Sequence, residues 1–226
     1  MKSHTLILTL ALLPLGIACQ KSEIDQKPAA QVTGTSTAST TSSATQTTTD
    51  IQPSPSGTAA KVIKEKSSIG FVGAKVTRDH TGKFNNFDGG IEYVNGKPER
   101  INFDIDLNSM ETDTEQLTGH MKSPDFFNVA QYPKATFTST SLTEAPAGSP
   151  AGTTHVLKGN LNMHGVTREV TVPVTAQVTP DGVRAKSEFT INRHDWGISY
   201  KGMADDLIKD NVLIKLDLLF PAPPAA

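Results

Sequence analysis

Between Leu157 and Thr175 the chain alternates apolar and polar side chains twice, on either side of a His164-Gly165 pair. Leu157, Leu161 and Met163 share one side of the first run, with Lys158, Asn160 and Asn162 opposite. In the second run Val170, Val172 and Val174 oppose Glu169, Thr171 and Thr175. Successive side chains of a strand point to opposite faces, so this is one antiparallel hairpin with an apolar side and a wet side. Gly165 suits the φ > 0 conformation that a tight corner often requires. Pro173 has no N–H to give to a ladder, so the second strand is expected to lie at an edge or to bulge there. Such an edge has to be covered, and a second copy of the chain in a homodimer is one way to cover it. A lone hairpin is marginal in water, so the remaining chain must supply its partners.

It does so in short alternating runs from Lys61 onward. Lys61 to Val76 reads as one or two strands with Ile69 and Phe71 on one face. Phe84 to Val94 is another, closed by the Asn95-Gly96 hairpin signal. In Arg100 to Asn108, Ile101, Phe103, Ile105 and Leu107 alternate with Asn102, Asp104, Asp106 and Asn108. Ala135 to Leu142, Val183 to Ile191 and Asn211 to Phe220 complete the set. About eight strands joined by short turns, with no long amphipathic helix, predict an all-β, eight-stranded antiparallel barrel. Roughly 160 residues suits such a barrel better than a seven-stranded sandwich. One segment interrupts the strands. Ser123-Pro124-Asp125 has the chemistry of an N-cap, first position and acidic first turn, which predicts a short helix over one end of the barrel. Phe126 and Phe127 would then plug or line that end.

The first sixty residues are of a different kind. A lysine precedes an apolar run from Thr5 to Ile17, too short to span a bilayer and proportioned like the core of a signal peptide. It ends Leu15-Gly-Ile-Ala-Cys19, which resembles the lipobox of bacterial lipoproteins, although Gly16 stands where Leu is usual. Residues 1–18 are therefore expected to be a signal peptide and Cys19, the only cysteine of the chain, a lipid attachment site. Gln20, where an Asp would retain a lipoprotein at the inner membrane, resembles the outer-membrane sorting default, with the protein facing the periplasm. Residues 19–59 are rich in Ser, Thr, Ala, Gln and Pro, with few apolar side chains as large as Val32 or Ile51, and are expected to form a disordered tether. The barrel should occupy 60–221 and a short tail 222–226. A formal net charge of −2 leaves no electrostatic footprint for nucleic acid, and one cysteine excludes an internal disulfide framework.

Six segments, in order, resemble the YceI-like family of lipid- and polyisoprenoid-binding proteins. They are Ile69-Gly-Phe-Val-Gly-Ala-Lys75, Gly82-Lys-Phe84, His120-Met-Lys-Ser-Pro-Asp-Phe-Phe127, Tyr132-Pro-Lys-Ala-Thr-Phe137, Gly159-Asn-Leu-Asn-Met-His-Gly-Val-Thr-Arg168 and Asn192-Arg-His-Asp-Trp-Gly-Ile198. The chain departs from the family at Lys66 and Lys75, often His, and at Met121, often Leu. The resemblance implies a lipocalin-like barrel with a hollow apolar interior that holds an isoprenoid or another long amphiphilic chain. Periodicity alone says only that Ile69, Phe71, Ile101, Phe103, Ile105, Phe127, Phe137, Leu161, Phe189 and Ile214 share faces; a pocket wall made of them follows from the resemblance. Lys75 shares the face of Ile69 and Phe71, which makes it the candidate partner for a phosphate or quinone oxygen of a polyisoprenyl phosphate or isoprenoid quinone. Trp196 and Tyr200 either join the core or line the pocket mouth with their polar atoms outward. A chain burying roughly 500 Å² gains about 12 kcal/mol gross, against association costs of about 4–15 kcal/mol. An exposed head-group ion pair adds at most about 1 kcal/mol, so the wall should set affinity.

Catalysis finds little support in the residues. His80, His120, His164 and His194 fall at strand ends or turns without the i, i+4 pairing of a zinc-hydrolase helix, and no Gly-x-Ser-x-Gly is present. Asp104 and Asp106 alternate with core residues and face solvent. Arg168, Arg193 and Asp195 are read first as clasps on strand ends, and second as head-group contacts. The expectation is a non-catalytic carrier or store of long-chain lipid in the cell envelope, without catalytic residues, metal or cofactor. A filled scaffold for stress or adhesion is the alternative; a metal-dependent hydrolase assembled from several loops is a more distant one.

Overall fold

A computed structural model of the chain describes residues 22–34, 57–203 and 206–223. The strands are β1 (Gln31–Thr33), β2 (Gly57–Lys61), β3 (Ser68–Ala74), β4 (Asp79–Phe84), β5 (Phe87–Val94), β6 (Lys97–Asp106) and β7 (Met110–Thr112). After the helix α1 (Glu115–Lys122) come β8 (Lys134–Glu144), β9 (His155–Met163), β10 (Val166–Thr179), β11 (Gly182–Asn192), β12 (Gly202–Met203), β13 (Asp206–Leu207) and β14 (Asn211–Phe220). All strand pairs are antiparallel, and the main path runs β2-β5-β6-β8-β9-β10-β11-β14-β3-β4-β7.

The two expected hairpins form at their expected corners. His164 and Gly165 have φ of 52° and 75°, and Asn95 and Gly96 have 51° and 74°. Positive φ at both central residues is the I′ geometry, whose twist matches that of the flanking strands. The second hairpin is longer than its sequence signal suggests. β4 runs on through Asn85 and Asn86 into β5, and the return arm bends at the same level between β6 and β7. There Asn86 N donates to Ser109 Oγ (2.9 Å) and Asp106 N to Asn86 O (3.0 Å). Beyond the bend β4 pairs with β3, and before it β5 pairs with β6, so the pairings lead back on themselves and the sheet curls around an apolar interior. The strand count therefore exceeds the predicted eight: bends divide two strands, and β1, β2, β12 and β13 add short pieces.

Two expectations are corrected. The helix precedes Ser123-Pro124 instead of following it. Thr114 is its N-cap, the Oγ1 accepting from Leu117 N at 3.3 Å, and Ser123 is its C-cap. Proline disfavours the helical conformation in the residue before it, so the pair that could start a helix ends this one. Phe126 and Phe127 still sit at the covered end.

The second correction concerns the tether. Residues 22–34 form a strap across the outside of the sheet. Ser22 Oγ donates to Asp79 Oδ2 of β4 (2.9 Å), and Ile24 is buried with Val72, Ala74 and Leu213. Lys215 and Lys209 hold Glu23 (2.5 Å) and Asp25 (2.7 Å), while Lys27 pairs with Glu188. Ala30 N donates to Thr190 O at 2.8 Å, and β1 then pairs with residues 169–171 of β10. Low average hydrophobicity hid this, because backbone pairing and one well-placed isoleucine suffice where a sheet edge is on offer. That edge exists because of Pro173. β10 pairs with β11 only from Thr175 on, and above Pro173 the chain's own N-terminal strap covers the strand. The expected boundary at residue 60 also moves, since β2 already pairs with β5 from Gly57. The signal peptide and Cys19 lie outside the described residues, as does the stretch 35–56.

Candidate functional site

The interior of the curled sheet holds a cavity of about 220 Å³ with an apolar wall. That far exceeds the gaps left in a close-packed core, so the barrel is not filled by its own side chains. Val212, Ile214, Leu216 and Leu218 line it from consecutive inward positions of β14. At about 3.3 Å per residue they make it about 20 Å long. A modest volume drawn out over that length is a narrow shaft.

The rings of the wall explain why the shaft stays open. Phe71 stands opposite Gly82 on β4, and Phe103 opposite Gly89 on β5. A Cβ added at Gly82 would lie 2.2 Å from Phe71 Cζ, one at Gly89 2.5 Å from Phe103 Cδ1, and one at Gly159 2.4 Å from Phe137 Cζ. Each phenyl ring lies across the glycine of a neighbouring strand, in the space that a side chain would have taken. The Phe71 and Phe137 rings are thereby held to the wall instead of meeting at the axis. At the lower end the arrangement changes. Phe220, fully buried, meets Phe103 edge-on at 6.2 Å between centroids, and Phe103 is 6.5 Å from Phe87. Tyr93 Oη donates to Pro221 O at 3.0 Å beside this floor, and burial pushes its phenol up to about 12.

Of the residues expected at the wall, Ile69, Phe71, Lys75, Ile101, Phe103, Ile105, Phe127, Phe137, Leu161, Phe189 and Ile214 line the cavity. Trp196 does not. It is fully buried in the short 3₁₀ turn Arg193–Trp196, its Nε1 donating to Leu161 O at 3.2 Å, which locks the indole behind the wall. The wall also includes residues not named in advance. Leu117 and Met121 come from α1, Val170, Val172 and Val174 from the hairpin, and Leu216 and Leu218 from β14. The strand residues were within reach of simple alternation; the helix residues depended on placing α1 correctly.

The upper end is the polar one, with Lys75, His80 and Arg193 at the cavity. His80 Nδ1 lies 3.0 Å from Asp113 Oδ2, and Arg78 Nε donates to His80 Nε2 at 3.2 Å. Accepting at Nε2 leaves Nδ1 as the protonated nitrogen that donates to the carboxylate. Arg193 is a clasp. Its Nη1 donates to Ile198 O (2.8 Å) and its Nε to Lys209 O (3.2 Å), with Asp210 Oδ1 at 3.4 Å from Nη2. Burial draws its guanidinium pKa down, opposed by the Asp210 charge. Arg168 acts likewise, Nε donating to Asp195 O at 2.9 Å. The other histidines are dispersed. His120 packs edge-on against Phe126 and Tyr200, His164 Nδ1 lies 3.1 Å from Trp196 O, and His194 Nε2 lies 2.7 Å from Asp210 Oδ1. Among the described residues no three His, Cys, Asp or Glu side chains converge as metal ligands would.

Comparison with known proteins fits this geometry. The YceI-like domain matches residues 61–220. A UPF0312 protein of Yersinia enterocolitica is 36% identical over 93 residues, 40% of this chain and 45% of that protein. Protein YceI of Salmonella arizonae is 37% identical over 93 residues, 40% of this chain and 46% of its own length. The aligned part thus spans about half the length of these relatives. Among solved structures, BcnA of Burkholderia cenocepacia superposes with a TM-score of 0.61 at 24% identity, covering 70% of this chain and 98% of BcnA. A polyisoprenoid-binding domain from Saccharophagus degradans, implicated in plant cell wall breakdown, gives 0.58 at 22% identity over 73% of this chain and 98% of that one. At such identities the likeness is one of fold.

Proposed function

The chain belongs to the YceI-like family, and from that premise we propose that it binds a long-chain amphiphilic lipid, a polyisoprenoid foremost, without transforming it. The observation that carries the reading is the long narrow shaft with a wall of apolar atoms, floored by Phe220. A flexible hydrocarbon chain can follow so narrow and apolar a space, which a broad rigid ligand cannot enter. The tail supplies the binding energy through burial. In this reading Lys75, among the lining residues at the upper end, pairs with a phosphate or quinone oxygen of a polyisoprenyl phosphate or isoprenoid quinone. Storage or transport in the cell envelope follows if Cys19 carries an acyl anchor, with the barrel on the periplasmic side of the outer membrane. The reading needs no second copy of the chain, since the strap covers the β10 edge.

Organic extracts of the purified full-length protein, analysed by mass spectrometry, test the lipid reading. A long-chain lipid near one per protein is expected, and repeated extracts without one would overturn it. Incorporation of labelled palmitate that disappears in Cys19→Ala tests the anchor.

A further inference from the structure

The upper rim of the shaft carries two large apolar side chains exposed to solvent. Val76 is 73% exposed and Leu207 49% exposed. They belong to adjacent backbone segments, Val76 N donating to Leu207 O at 3.1 Å, and the next pair, Lys75 and Ile208, lines the cavity. An apolar lip therefore stands at the upper end of the shaft, next to Lys75 and Ile208 of its wall. The chain's N-terminal strap starts at the same place. Ser22 is bonded to Asp79, three residues on from Val76, and lies three residues after Cys19. Three residues reach at most about 11 Å when fully extended. Covalent geometry alone therefore keeps Cys19 within that distance of Ser22, whose partner Asp79 follows the lip by three residues. The strap is itself pinned by Ile24 and by the Glu23–Lys215 and Asp25–Lys209 pairs, so its starting point is not free to wander. At the opposite end of the barrel, beside the Thr179–Gly182 turn and the residues that follow Phe220, Val178 is 85% exposed, and neither it nor its turn lines the cavity.

We propose that the Val76–Leu207 lip is the face by which the protein docks on a lipid bilayer, so that the shaft opens straight into the membrane. The lip immerses its two apolar side chains in the interfacial region, and an anchor at Cys19 holds the mouth down instead of letting the barrel stand clear. A lipid tail can then pass between bilayer and shaft without crossing water, which is where its transfer would otherwise be most costly. The inference deepens the lipid-binding reading and rests on it for its purpose, but its geometry can be tested separately.

The test places a tryptophan at the lip or at the far end of the full-length chain. Native Trp196 is fully buried and supplies a constant background. Val76→Trp, Leu207→Trp and Val178→Trp are each mixed with phosphatidylethanolamine–phosphatidylglycerol vesicles, with and without brominated acyl chains. Blue-shifted, bromine-quenched emission is expected at positions 76 and 207 and not at 178. Equal quenching at 178, or none at the lip, overturns the proposal. The double variant Val76→Asp/Leu207→Asp should slow transfer of a fluorescent long-chain lipid between vesicles about tenfold while the lipid recovered in extracts stays the same. Val178→Asp should leave both unchanged. Lip quenching in a protein whose extracts contain no lipid sustains docking and removes the lipid-binding reading. Lipid in the extracts without lip quenching does the reverse. Ile24→Asp, which frees the strap, is expected to lower lip quenching while the protein stays on the vesicles; undiminished quenching would remove the strap from the account.

Discussion

The floor and the mouth of the barrel are built from the same strands by opposite means. At the floor, β11 and β14 pair residue for residue down to Val183 and Phe220, and Phe87, Phe103 and Phe220 pack ring against ring. At the upper end the strands give way to α1 and to the segments 193–203 and 206–210, where Arg193 donates to the Ile198 and Lys209 carbonyls. Between them the wall phenylalanines lie over glycines and leave the shaft open. A cavity survives when one end is packed as core and the other is tied by polar contacts that do not reach inward.

The largest effect should come from the floor. Phe220→Ala removes a fully buried ring and is expected to cost about 3–5 kcal/mol in urea unfolding. Phe137→Ala, at the shaft wall and only half-buried, should cost clearly less; equal losses would mean that the shaft is packed like the floor. At the mouth, Arg193→Met deprives the Ile198 and Lys209 carbonyls of their donor and should cost about 2–3 kcal/mol. Hydrogen exchange should quicken from 198 to 210 and not near Phe220. Gly82→Ala touches neither end. The atoms nearest the new methyl belong to the Phe71 ring, so the change should cost about 1–3 kcal/mol of stability while the ring is pushed off the wall and the lipid recovered in extracts falls. An unchanged lipid content would separate the glycines from the shaft. The smallest effect concerns pH. Tyr93 is raised from its ordinary 10.0 to about 12 by burial. The folded state holds that proton more tightly, so the associated stability is complete below pH 10 and declines as pH climbs toward 12. Tyr93→Phe should flatten that part of the alkaline limb, whereas Tyr200→Phe at the mouth should not.

Much of the wall was legible because alternation is a local property. Ile101, Phe103 and Ile105 had to face one way whatever the rest of the chain did, and the I′ corners at Asn95-Gly96 and His164-Gly165 are set by their own φ preferences. Trp196 misled because a large aromatic beside strand ends suits a pocket mouth as well as a core, and only the Leu161 carbonyl decides between them. The strap was missed for a related reason: its packing depends on an edge at Pro173, some 140 residues further along, that no window of local composition contains.

By itself the sequence determined the all-β class, the corners and which side chains share a face, since these follow from backbone sterics and from the two-residue period of a strand. Tertiary structure decided that the shared face encloses a shaft. Whether inward rings meet or stand apart depends on which residue lies beside each ring on the neighbouring strand, and along the shaft that residue is glycine at 82 and 159. It decided, too, that residues 22–34 are strapped across the outside of the sheet, with Ser22 tied to Asp79 at its upper end.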